Sequence, residues 1–180
     1  MCVGGGECHC LGDYMKIQVL AGAAALVMMT ACSAPVPVDP EAATKAANLA
    51  QVQQMYGYFE TGDVPSFLGA LDAGIVWNEA ENFPYAQTNP HVGPDAVVAG
   101  VFGPMAQDWS AFAVVPESYL ADGDKVAMFG RYEATSAATG KPMNPQVVHV
   151  WTLKDSKAIA FQQYADTLAT RMALTPNTDE

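Results

Sequence analysis

The sequence predicts an α+β domain, and three observations carry that expectation. Apolar residues at the helical spacing of three and four concentrate between Glu41 and Met105. From Phe112 onward four segments of strand character are separated by short polar turns. No cysteine falls between residues 41 and 172, so stability there rests on a hydrophobic core rather than on disulfides. Helices first and a meander afterwards suit helices gathered on one face of a curved antiparallel sheet.

The chain of 180 residues is 51% hydrophobic and 15% charged, which gives one domain enough apolar material to fold and excludes a disordered polyelectrolyte. Its net charge of −11 repels phosphate backbones, so nucleic acid is excluded as a partner.

The four cysteines, Cys2, Cys8, Cys10 and Cys32, all precede the predicted domain. From Met15-Lys16 a positive start leads into the uncharged run Ile17–Thr30 and then Ala31-Cys32. A run of this length between a positive start and a small residue is the layout of a secretory signal over residues 15–31. It is shorter than the ~20 residues of a membrane-spanning helix. Met29-Thr30-Ala31-Cys32 resembles the bacterial lipobox, which implies lipidation of Cys32 and attachment to a membrane through acyl chains. Residues 1–14 fit neither a signal nor a domain, and Met15 is the expected translation start. Cys8-His9-Cys10 has too few intervening residues for a usual zinc site. By resemblance to known lipoprotein sorting, Ser33 rather than Asp after the cysteine implies an envelope lipoprotein of the outer rather than the inner membrane, facing the periplasm; the prolines at 35, 37 and 40 make residues 32–40 an extended tether.

The domain proper is expected over residues 41–172, with 173–180 as a tail. The first helix runs from Glu41 to Thr61 with Leu49, Val52, Met55 or Tyr56, and Phe59 on one side, and stops at Gly62. Asp63 is placed to cap a second helix with Pro65 in its first turn and Phe67, Leu68 and Leu71 on one side, ending at Gly74. Ile75–Glu79 reads as a strand with Ile75, Trp77 and Glu79 on one face. Glu81–Gly93 reads as a loop, and Pro94-Asp95 opens a third helix bearing Val97, Val98, Val101, Phe102 and Met105. Phe112–Leu120, Lys125–Ser136, Met143–Leu153 and Ala158–Asp166 form the meander, turning at Asp122-Gly123-Asp124, Thr139-Gly140-Lys141 and Asp155-Ser156.

A set of short segments in this order resembles the nuclear transport factor 2-like superfamily, in its SnoaL-like and ketosteroid-isomerase-related branch. They are Val52–Tyr56 with Thr61-Gly62-Asp63, Ile75–Trp77, His91–Val97, Ala121–Val126, Val148–Trp151 and Phe161–Thr167. The resemblance implies a cone-shaped domain with three N-terminal helices over the sheet, a deep apolar pocket between them, and a homodimer through the outer face of the sheet. The fold hosts isomerases, cyclases and plain binding modules, so function must come from the pocket.

By that resemblance Glu79 stands where ketosteroid isomerases carry their general-base aspartate. Their phenolic donor aligns with Met55, with Tyr56 turned about 100° away on the helix. Their second donor aligns with His149, a position that is also histidine in SnoaL-type cyclases, whose acid/base aspartate aligns with Gln163. Glutamine donates and accepts hydrogen bonds but moves no proton at neutral pH. Strand alternation puts Val147, His149 and Trp151 on one face of their strand, and likewise Phe161 and Gln163 on one face of theirs; with those faces lining the pocket, Tyr164 and Asp166 point away. Glu79, His149 and Gln163 are therefore the candidate catalytic set. Trp77, Tyr85, Trp151, Phe161, Met55 and Phe59 are the candidate contacts to a small apolar ligand. The competing readings are a strand-end Glu79 in water or in an ion pair, for instance with Arg131, a hydrogen-bonded core histidine for His149, and core packing for Trp77 and Trp151. No cofactor is expected, and Glu79, His91 and His149 lack the local spacing of a metal site. Two functions fit these residues: proton transfer of the isomerase or cyclase kind on a small apolar substrate, or a non-catalytic module that binds a ligand or partner protein at the envelope.

Overall fold

The computed structural model describes residues 39–177. The expected signal, lipidated Cys32 and most of the tether lie outside the described residues. Helix α1 (Pro40–Glu60) begins where the Asp39 side chain accepts the backbone N–H of Glu41, and it buries Val52, Met55 and Tyr56. Gly62, at φ 71°, takes the left-handed conformation that ends it. Helix α2 (Val64–Gly69) is capped by Asp63, whose carboxylate accepts the N–H of Ser66.

Strand β1 (Leu71–Asn78) starts earlier than the apolar pattern predicts, so Gly74 lies inside a strand and does not end α2. The pairing register slips between Leu71 and Val76, and within that irregularity Asp72 accepts the N–H of Gly74. A short strand β2 (His91–Val92) pairs antiparallel with β1.

The expected third helix is three pieces: α3 (Pro94–Val97), a wide turn of π geometry (Val98–Phe102), and α4 (Gly103–Asp108). The imidazole of His91 lies against Gly100, where a Cβ would come within 2.3 Å of the ring, so this turn has room only for glycine. Pro104 supplies no N–H to continue a regular ladder. Val101 and Phe102 are thereby aimed toward the sheet.

The meander is β3 (Trp109–Asp122), β4 (Lys125–Ser136), β6 (Gln146–Lys154) and β7 (Lys157–Ala165), with a two-residue strand β5 (Pro142–Met143) against β4. Asn144-Pro145 separates β5 from β6, dividing the strand expected from Met143. The sheet order is β2-β1-β7-β6-β4-β3, all neighbours antiparallel except β1 and β7. Asp155 and Ser156 both have positive φ, as a tight two-residue hairpin demands. Gly130 faces a bulge in β3, and a Cβ there would meet the Val115 carbonyl at 2.3 Å.

A helix α5 (Thr167–Leu174) follows β7, capped by Asp166 and burying Thr170 and Ala173, so ordered packing reaches into the stretch expected as tail. The result is a mixed α+β domain in which α1, α2 and the α3–α4 segment lie with one face of a curved, unclosed sheet. Between them sits a core dominated by aromatic rings.

Candidate active site

The site begins with strand parity. In β6, Val147, His149 and Trp151 are buried and alternate with half-buried residues, and β7 contributes Phe161 and Gln163 to the same face. Register pairs His149 with Gln163 and Trp151 with Phe161, and it places Trp77 of β1 opposite Phe161. The rings of Trp77 and Phe161 stack at 3.9 Å between centroids. This parity brings Glu79, His149 and Gln163 to one cavity, together with Trp77, Tyr85, Trp151, Phe161 and Phe59.

Met55 is the exception among the expected contacts. It is fully buried in the core and does not line the cavity, whereas Tyr56 does. The ~100° between adjacent helical residues is real, but α1 is rotated so that Tyr56 takes the inner position. Arg131 makes no pair with Glu79; it bonds Asn144 at the surface.

Glu79 follows β1 and is 3% exposed. The Trp77 indole N–H, two residues back on the same face, donates to its Oε1 at 2.6 Å. Oε2 is buried and has no hydrogen-bond partner. Asn89 clamps the Glu79 backbone from both sides, accepting its N–H at 3.1 Å and donating to its carbonyl at 2.8 Å. Burial pushes the carboxyl up to about 7, partly offset by the Trp77 hydrogen bond. One of its two oxygens is therefore free, and its proton affinity is matched to neutral pH.

His149 is held in the opposite way. Tyr56 Oη lies 2.7 Å from Nδ1, and Tyr132 Oη lies 2.7 Å from Nε2. The Trp151 indole donates to Tyr56 Oη at 2.9 Å, and Gln163 Nε2 donates to Tyr132 Oη at 2.7 Å. Gln163 is itself oriented by the Ala80 N–H, which donates to Oε1 at 3.0 Å. Burial lowers the imidazole to about 3 and lifts both phenols well above their usual range, so all three are neutral at pH 7.

A second cluster borders the cavity. Tyr85 Oη donates to Asp108 at 3.0 Å and accepts from the Trp109 indole at 2.8 Å, while His91 Nε2 meets the Tyr85 carbonyl at 3.0 Å. His91 does not line the cavity. Among the described residues no group of three His, Cys, Asp or Glu is placed to hold a metal ion.

The cavity holds about 50 Å³, room for a few water-sized molecules. That is well below the ~300–1,000 Å³ of a typical ligand site. The resemblance implied a deep pocket; here the aromatic side chains occupy most of it. Phe59, Phe102, Met105, Phe112 and Val114 are the half-buried lining residues and mark the mouth.

Sequence reasoning set Tyr56 aside as turned away from the donor position, counted Phe67 only on the apolar side of the second helix, and passed over Tyr132, Asn89 and Phe83 as site residues. Tyr132 shares the inward parity of Val126, Met128 and Ala134 on β4, a signal present in the sequence. The Asn89 clamp comes from a loop fold that no local pattern announces.

Comparison with known proteins agrees with this architecture. A SnoaL-like domain family profile matches residues 52–161. A nuclear transport factor 2-like protein from Burkholderia thailandensis is 29% identical, with a TM-score of 0.67, covering 72% of this chain and 98% of its own. TerC, crystallised with polyporic acid, is 22% identical at a TM-score of 0.65, covering 71% and 98%. A Jannaschia protein provisionally named a SnoaL-like polyketide cyclase is 16% identical at 0.65, covering 80% and 100%. The last two likenesses show the fold alone. No curated protein matches the chain in sequence.

Proposed function

The chain belongs to the SnoaL-like domain family, and from that premise we propose that it catalyses proton transfer on a small, flat, apolar carbonyl compound. The observation that carries this reading is Glu79. Its buried carboxyl has one oxygen anchored by Trp77, the other unpartnered in an aromatic cavity, and a proton affinity near neutrality. A carboxylate so placed takes a proton from carbon adjacent to a carbonyl, and a neutral phenol O–H supplies the donor that steadies the developing oxyanion. His149 and Gln163 orient the phenols. Tyr132 supplies a phenol that the family's aligned position, Met55, lacks. Opening at the Phe102 and Met105 side of the mouth admits the substrate.

The test is deuterium uptake from D2O into cyclic ketones graded from cyclopentanone to 2-tetralone, followed by mass spectrometry. Exchange above buffer that disappears in Glu79→Gln, with the fold intact by circular dichroism, supports the reading. Exchange at the buffer rate across the series, or equal in the variant, removes it.

The small cavity favours a second reading, a non-catalytic module that takes up a ligand or partner without turnover. Ligand retained in native mass spectra with no exchange is its signature.

Two further parts of the proposal rest on other observations. Lipidation of Cys32 follows from the lipobox-like run and would hold the domain at the outer membrane, facing the periplasm; Cys32→Ser should release it. A homodimer through the sheet is favoured by Phe129, Val148 and Tyr164, which share one register row across β4, β6 and β7 with Phe129 and Tyr164 exposed. Phe129→Asp should shift such a dimer to monomer in sedimentation.

A further inference from the structure

The hydrogen-bond chain through His149 contains more protons than contacts. Trp151 gives one N–H to Tyr56 Oη, and Gln163 gives one to Tyr132 Oη, with the Gln163 orientation fixed by the Ala80 N–H on its oxygen. Each phenol then lies 2.7 Å from one imidazole nitrogen. A neutral imidazole has one N–H and one bare nitrogen. One phenol donates to the bare nitrogen. The other accepts from the imidazole N–H as well as from its amide or indole partner, and its own proton is left over. The tautomer of His149 therefore decides which tyrosine aims an O–H at something else.

The two choices are not equivalent. The Gln163 amide that holds Tyr132 is anchored at the residue next to Glu79, so the Tyr132 hydroxyl sits at the carboxylate end of the cavity. Glu79 Oε2 is the one buried side-chain oxygen or nitrogen among the described residues with no partner. A leftover proton on Tyr132 points into the field of that oxygen. Around Tyr56 stand the rings of Tyr119 and Trp151, at 6.1 and 6.3 Å between centroids, and a leftover proton there has no carboxylate beside it. Neither leftover proton has an acceptor within hydrogen-bond distance, so the preference rests on the pull of the nearby carboxylate on the Tyr132 proton, which Tyr56 lacks.

We propose that His149 carries its proton on Nε2, donates it to Tyr132, and so turns the Tyr132 O–H into the cavity as the single donor that grips a ligand oxygen. Tyr56 then donates to Nδ1 and is spent on holding the ring. His149 is a positioning residue and Tyr132 the binding one. The ligand class narrows to molecules with an acceptor oxygen, a carbonyl or an enolate, beside the proton that Glu79 exchanges. This ligand assignment rests on the proton-transfer reading; the tautomer does not.

The experiment is two-bond proton–nitrogen correlation on the ¹⁵N-labelled full chain at pH 8, with His149 identified by the signal lost in His149→Gln. The expected result is a protonated-type shift at Nε2 and a bare-type shift at Nδ1, unchanged in Tyr56→Phe and reversed in Tyr132→Phe, where Tyr56 is the remaining acceptor. An Nδ1–H form, or an even mixture, in the unmodified chain overturns the proposal, and that spectrum decides even if Tyr132→Phe does not fold. In the ketone exchange assay Tyr132→Phe should lower kcat by 10- to 100-fold with KM little changed, and Tyr56→Phe by less than fivefold. The reverse order also overturns it. Absence of exchange in every form, with the Nε2–H tautomer observed, defeats the proton-transfer reading and leaves the tautomer assignment standing.

Discussion

Glu79 and His149 face the same cavity, are buried to nearly the same degree, and are treated in opposite ways. His149 has a partner on each nitrogen, and each partner is itself held by a further donor. Glu79 has one oxygen held and one left bare. Burial drives both toward their neutral forms, raising the acid and lowering the base. The imidazole is thereby a fixed, uncharged strut, while the carboxyl sits close to its own ionisation point at neutral pH. The difference teaches that hydrogen-bond saturation, rather than burial, separates the two groups: both imidazole nitrogens are met, while one carboxyl oxygen is left without a partner.

Four substitutions and one condition probe that comparison. The largest effect is expected for Glu79→Gln on exchange, a loss of ~10²–10⁴-fold, the usual range for removing a general base. Next, His149→Phe should destabilise the domain by about 3 kcal/mol in urea unfolding, because it strips partners from two buried phenols at once. A loss under 1 kcal/mol would mean the strut carries little.

The pH dependence separates the two groups by sign. A carboxyl raised from 4.5 to about 7 holds its proton in the folded state, so its contribution to stability falls as pH rises from about 4.5 to about 7. An imidazole lowered from 6.5 to about 3 sheds its proton on folding, so its contribution rises between about 3 and about 6.5. Where the windows overlap the slopes oppose and nearly cancel. In Glu79→Gln the imidazole is unmasked. Relative to the unmodified chain the variant should gain stability on the order of 3 kcal/mol between pH 4.5 and pH 7, less whatever the unpaired amide costs. Urea midpoints at stepped pH check this, and a difference independent of pH would remove the perturbed carboxyl from the account.

Smaller effects fall at the edges. Gly100→Ala must displace the His91 ring from the π turn and should cost about 1–2 kcal/mol while altering entry past Phe102. Phe67→Leu removes edge contacts with Trp77, Trp151 and Phe102 from the wall, and should cost about 1 kcal/mol in the same urea measurement.

Much of the fold was legible because two periods are local properties. Alternation along Val147–Trp151 and Phe161–Gln163 assigned the inner face correctly, and Asp63, Gly62 and Asp155-Ser156 marked a cap, a stop and a turn by their own chemistry. The Gly74 boundary failed because glycine ends helices and also sits in irregular strands; only the register slip distinguishes them. The break at Val98–Phe102 was hidden because a continuous apolar stripe does not reveal one inserted residue. At the site, parity brought three candidates together, but the rotation of α1 that exchanges Tyr56 for Met55 is set by packing across the domain. Tyr132 and Asn89 matter through partners 17 and 10 residues away, a relation no single segment encodes.

The account stands on the Glu79 carboxyl, and its titration is the direct test. With ¹³C-labelled glutamate, the side-chain carboxyl resonance missing from Glu79→Gln should move with a midpoint near 7. A Glu79 midpoint near 4.5 would contradict the account, since a carboxyl ionised at that pH in this cavity is a solvated or paired group and not a poised base.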